Sequence, residues 1–115
     1  MADISVAERR AATFDLDKPL YTISVAAEVL AAHPRTLMLY ESVGLIEPFR
    51  TPTNRRRYSQ RDIRCLEVIQ TLTRERGVNL AGVRDILQLF TVIKGEGLQA
   101  PAGLQDVFAR YSEII

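Results

Sequence analysis

A mainly α-helical fold, a winged helix-turn-helix with a short β-hairpin wing and a short C-terminal helix, follows from three features of this 115-residue sequence. Two short helical segments meet across a tight turn at "AAHPRTLMLY". The stretch "TPTNRRRYSQRDI" then joins turn-forming residues to a run of arginines. Beyond it, apolar residues return at helical spacing through "LAGVRDILQLFTVI".

Composition narrows the class. With 47% hydrophobic and 25% charged residues, the chain reads as one soluble domain, too short for a comfortable second one. Fifteen basic side chains against fourteen acidic ones leave +1, so total charge names no partner. Distribution does. Residues 50–64 hold Arg50, Arg55, Arg56, Arg57, Arg61 and Arg64 against Asp62, a local net of +5. Cys65, the single cysteine, excludes an intrachain disulfide, and one Cys with one His cannot build an all-Cys/His zinc site. No metal and no cofactor is expected. The N-terminal stretch lacks a signal-length apolar run, and no segment approaches the ~18 apolar residues of a membrane span. The expected location is the cytoplasm, with the nucleoid.

The elements follow in order. Residues 1–19 mix both charge signs and read as a flexible arm, with a short helix over Val6 to Ala12 as the alternative. The core domain covers 20–93. In "YTISVAAEVLAA", Ser24 is the expected N-cap of a two-turn helix. Pro34 suits the first turn of the next helix, and Gly44 its C-terminal cap. "IEPFRTPTNRRRYS" reads as a two-stranded hairpin in which Asn54 tolerates positive φ. Ser59 and Asp62 make a capping-box start for a third helix, which runs to about Glu75. Asn79 caps a fourth, striped by Leu80, Val83, Ile86, Leu87 and Phe90. Residues 94–103, rich in Gly and Pro, read as a linker. Residues 104–115 form a last helix whose stripe, Leu104, Val107, Phe108, Tyr111, Ile114 and Ile115, serves as a dimer or partner interface, or packs on its own domain.

Order and spacing account for the arginine cluster. A helix-turn-helix lays its second helix in the major groove, and a basic hairpin beside it can straddle the flanking phosphates. On that second helix Leu37 and Tyr40 share an inward side. Arg35, Thr36 and Leu39 point outward, where Arg can pair with guanine and Thr or Leu can meet a thymine methyl. Leu39 has a second reading, as an outer core residue. His33 is an N-cap or a phosphate contact rather than a metal ligand. Cys65 is a small buried or half-buried group.

"ISVAA", "HPRTL", "YESVGLIEP", "RRYS.RDI" and "GVNLAGVRDIL", within residues 21–87, resemble the DNA-binding domain of the MerR superfamily, and most of all its HspR type, the autoregulated heat-shock repressors. The resemblance implies a dimer reading an inverted repeat in double-stranded DNA. It places His33, Arg35, Thr36, Leu39 and Tyr40 on the recognition helix. Tyr21, Ser24, Arg50, Arg55, Arg56, Arg57 and Tyr58 are the wing and phosphate contacts. Met38 stands where the family has an arginine, and Thr53, Asn54 and Arg55 replace its wing glycines.

The same resemblance implies the Hsp70 chaperone (DnaK) as corepressor. Neither a metal sensor nor a drug-binding domain fits in the 28 residues after 87, which hold no cysteine. The expected function is therefore repression of chaperone genes. A promoter-distorting activator and a chaperone-binding adaptor are the alternatives. An enzyme is not expected, since no Gly-rich phosphate loop or nucleophile-base spacing is present.

Overall fold

The computed structural model describes residues 15–115. The expected helix at Val6 to Ala12 lies outside them. The order is β1 (Tyr21–Thr22), α1 (Ile23–Val29), α2 (Pro34–Ser42), β2 (Phe49–Arg50), β3 (Arg56–Tyr58), α3 (Gln60–Gln70), a π turn (Thr71–Glu75), α4 (Leu80–Gly95), a 3-10 turn (Ala102–Leu104) and α5 (Gln105–Ser112).

Local chemistry sets most of these boundaries. His33 caps α2 by accepting the Arg35 N–H on Nδ1 at 3.1 Å, with Pro34 in the first turn, where it leaves no donor unpaired. Gly44, at φ +79°, closes the same helix, and the Leu45 N–H returns to the Tyr40 carbonyl at 2.9 Å. Ser59 and Asp62 exchange hydrogen bonds at 3.0 and 2.9 Å, a complete capping box. Asn79 Oδ1 accepts the Gly82 N–H at 2.8 Å.

At α1 the expectation is corrected. Thr22, not Ser24, is the N-cap, accepting the Val25 N–H at 3.2 Å. Pairing explains the shift. Tyr21 and Thr22 form an edge strand against β3, in register with Tyr58 and Arg57, so the backbone stays extended up to Thr22 and turns helical directly after it. The wing is consequently a three-stranded antiparallel sheet, ordered β1-β3-β2.

The turn between α1 and α2 carries strain. Ala31 has φ +50°, a left-handed conformation that costs an L-residue roughly 1–2 kcal/mol. It persists because α3 and the π turn clamp the end of α1: Gln70 Nε2 donates to the Leu30 carbonyl at 2.8 Å and Arg74 to that of Ala31 at 3.3 Å. Ala31→Gly is therefore expected to stabilise the fold by about 0.5–1 kcal/mol, the strain relieved less the larger unfolded-state entropy of glycine. Urea unfolding checks this through a higher midpoint.

The core joins all layers. Ala26, Leu37, Tyr58, Ile63, Leu66, Ile69, Leu72, Val83, Phe90 and Val107 are buried together. The last of these shows the 104–115 stripe packing on its own domain, one of its two expected readings, and the expected linker is shortened at its start. Helix α4 continues to Gly95, and α5 folds back onto α3 and α4. Val107 is fully buried and Ile114 nearly so, while Leu104, Phe108 and Tyr111 pack partly buried against the same core. Phe90 stacks edge-on against Phe108 at 5.3 Å and lies 6.1 Å from Tyr111. Of the six stripe residues only Ile115 remains exposed.

Polar bonds fasten the same segment. Arg61 donates to the Ile114 carbonyl at 2.6 Å, Arg110 to Thr71 Oγ1 at 3.1 Å, and Lys94 Nζ to the Ser112 and Ile115 carbonyls. The flexible-arm reading is corrected where the arm is described. Leu16 accepts the Arg61 N–H at 3.0 Å and Asp17 pairs with the Arg61 guanidinium at 2.7 Å.

Candidate nucleic-acid interface

Helix α2 sorts its side chains by its 3.6-residue turn. Leu37 and Tyr40 face the core, at 0% and 5% exposure. Arg35, Met38 and Leu39 face solvent, with Thr36 half-buried beside them. The outer-core reading of Leu39 fails, since half of its surface is open. Tyr40 leaves the candidate contact set, because its ring fills the space beneath the helix.

The wing turn is held by backbone and hydroxyl bonds rather than glycines. Asn54 takes φ +63°. The Thr51 carbonyl accepts the Asn54 N–H and the Thr51 N–H donates to Arg55, both at 2.8 Å, while Thr51 Oγ1 accepts the Arg55 N–H at 3.0 Å. Asparagine thus supplies the left-handed residue that the hairpin requires.

The arginine cluster does not act as one patch. Arg50 Nη2 and Arg56 Nε bond the two oxygens of Glu41, at 2.7 and 2.6 Å. Arg61 is engaged by Asp17 and the Ile114 carbonyl, away from the wing. Arg57 donates to the Arg56 carbonyl at 3.0 Å. Among the described residues Arg55 has no ion-pair partner and stands exposed at the tip.

Burial opposes ionisation of the Glu41 carboxyl, but the hydrogen bonds and charges of Arg56 and Arg50 outweigh it and hold the group below its ordinary value. A depressed folded-state pKa contributes stability above the unfolded carboxylate range. That contribution disappears as pH falls through the folded value, so the tie between wing and α2 weakens in acid.

The structure brings Ser24 to the wing. Thr22, Ile23 and Ser24 line one side of a cleft of about 370 Å³, and Asn54, Arg55, Arg56 and Arg57 line the other. Ser24 is exposed. Although not the cap, Ser24 stands at the rim of this arginine-lined cleft. Tyr21 is half-buried, and its hydroxyl donates to Gln60 at 3.1 Å.

Tyr58 is wholly buried, and its hydroxyl has no partner among the described residues. Burial is the main reason its pKa is pushed up to about 12. It is a core residue and not an open wing contact. Burial, aided by Asp62, raises the Cys65 thiol to about 11, so the sulfur is a protonated packing group at neutral pH.

Glu41 is the residue that sequence reasoning missed. Its partners stand 9 and 15 positions away, beyond any helical spacing that would have signalled the pair.

Residues 21–89 match the family described as MerR HTH family regulatory protein. Over 73 residues the chain is 48% identical to a Streptomyces coelicolor protein that bears the name heat shock protein HspR, covering 64% of this chain and 48% of that protein. It is 33% identical over 69 residues to the HTH-type transcriptional regulator GlnR of Bacillus anthracis and of Bacillus cereus, covering 60% of this chain and 53% of each. The chain spans about half the length of these curated relatives. The family match contains the sheet, α1, α2, the wing and α3, and thus every side chain of the candidate interface. On that match the chain belongs to the MerR HTH family of regulatory proteins, and it resembles HspR within it.

Proposed function

We propose that the protein is a sequence-specific DNA-binding repressor of heat-shock genes, which binds an inverted repeat as a homodimer with an Hsp70 chaperone (DnaK) as corepressor. One juxtaposition carries the DNA-binding part: α2, which leaves Arg35 and Leu39 exposed with Thr36 half-buried beside them, is tied through Glu41 to the wing that bears Arg55, Arg56 and Arg57. The first set can reach base edges in the major groove, and the second meets phosphates of any sequence. The name of the Streptomyces relative supports the heat-shock assignment. The chaperone and the dimer rest on the HspR resemblance.

No helix among the described residues is long and apolar enough to cross a membrane. We place the protein in the cytoplasm with the nucleoid. The packing of α5 bears on the alternatives. An adaptor that offers the 104–115 stripe to a chaperone would have to withdraw Val107 and Ile114 from the core, so this reading is not favoured. Apolar side chains that do stand exposed nearby include Leu89 and Val92 on α4, Leu98 and Ile115.

Fluorescence anisotropy tests the proposal, with a chaperone-promoter inverted repeat and a scrambled duplex of equal length, each with and without Hsp70. A preference for the repeat of ~10³ or more, tightened by Hsp70, is expected.

A further inference from the structure

Arg50 and Arg56 stand directly opposite each other on β2 and β3. Like charges at such a cross-strand pair repel. Here one carboxylate separates them: Glu41, in the last turn of α2, takes Arg50 on Oε2 and Arg56 on Oε1. A single side chain therefore ties both strands of the wing to the helix that carries Arg35, Thr36 and Leu39.

The geometry of the tie matters. Arg50 engages Glu41 through Nη2 and Arg56 through Nε, so neither guanidinium turns its full fork to the carboxylate. Arg56 Nη1 and Nη2 have no partner among the described residues, and Arg56 lines the cleft shared with Ser24. Arg50, Glu41 and Arg56 together carry a net +1, one less than the two arginines would present alone.

We infer that Glu41 is a positioning residue for DNA recognition: it fixes the wing against α2 and holds down the wing's attraction for phosphates of any sequence. Affinity then depends more on what α2 reads from the bases. This inference rests on the DNA-binding reading given above.

The test uses the full chain carrying Glu41→Gln, which keeps the size of the side chain and removes its charge. Anisotropy on the scrambled duplex, across a salt series, reads the phosphate contacts directly. Each additional contact steepens the slope of log K against log salt by about 0.9. Glu41→Gln is expected to steepen it by roughly one to two and to tighten low-salt binding about tenfold. Preference for the inverted repeat falls by a similar factor. Weaker binding to both duplexes with an unchanged slope would mean that Glu41 only supports the fold, and would overturn the inference.

A second comparison guards against simple unfolding of that variant. Added to the Arg50→Ala/Arg56→Ala protein, Glu41→Gln should leave the slope where the arginine replacements put it. A further change there would also overturn the inference. If the unmodified protein shows no preference for the repeat, the repressor reading fails, while the slopes on scrambled DNA still decide the role of Glu41. No salt-sensitive binding to either duplex overturns both.

Discussion

Replacing Phe90 by alanine is expected to lower stability by about 3–5 kcal/mol, the range for removing a large buried aromatic ring. The ring is 1% exposed and lies against both Phe108 and Tyr111, so the cavity would open where α5 docks on α4. Since domains of this size are stable by about 5–15 kcal/mol in total, the variant is expected to be partly unfolded near physiological temperature. Leu89 is the control one position away. At 59% exposure, its replacement by alanine should change stability by about 0.5 kcal/mol or less. Urea unfolding of the two variants checks the pair. Equal, small effects would show that α5 does not complete the core in the way described.

The second large effect concerns the wing. Arg55→Ala/Arg57→Ala should weaken binding to every duplex alike and reduce the salt slope by about 1.8, the value for two lost phosphate contacts. These two are chosen because Arg56 is already tied to Glu41, whereas among the described residues Arg55 has no ion-pair partner and Arg57 bonds only a backbone carbonyl. Arg35→Ala should behave differently. Loss of a base contact costs about 1–3 kcal/mol on the repeat and relaxes discrimination at one position, with little effect on scrambled DNA. Salt titrations of both variants on both duplexes separate the two behaviours. If the wing variant lost affinity only for the repeat, the division between phosphate-binding wing and base-reading helix would be wrong.

The parts of this fold legible in the sequence are those encoded within a few residues. His33-Pro34, Gly44, Ser59 with Asp62, Asn54 and Asn79 each act through the backbone next to them, and each is found in its expected role. The outward face of α2 is equally local, since the burial of Leu37 and Tyr40 directs Arg35 and Leu39 to solvent.

What escaped the sequence depends on contacts between distant segments. Tyr21–Thr22 is too short to show strand alternation, and only its partner β3, some 35 positions on, makes it a strand and moves the cap from Ser24 to Thr22. The stripe of α5 shows that the helix must bury one face but not against what, so a domain contact and a subunit contact look alike in sequence. Tyr58 joins an apolar ring to a polar tip, which suits an interface as well as a core. Packing places it inside. Glu41 bonds two arginines that sequence alone would count toward a free basic patch.

The central claim is that α2 and the wing together read a specific DNA sequence. The most direct measurement is the ratio of affinities for a chaperone-promoter inverted repeat and a scrambled duplex at physiological salt, by anisotropy, with Hsp70 present and absent. A ratio of ~10³ or more, rising with Hsp70, is the predicted result. Weak and equal binding to both duplexes under both conditions would contradict it.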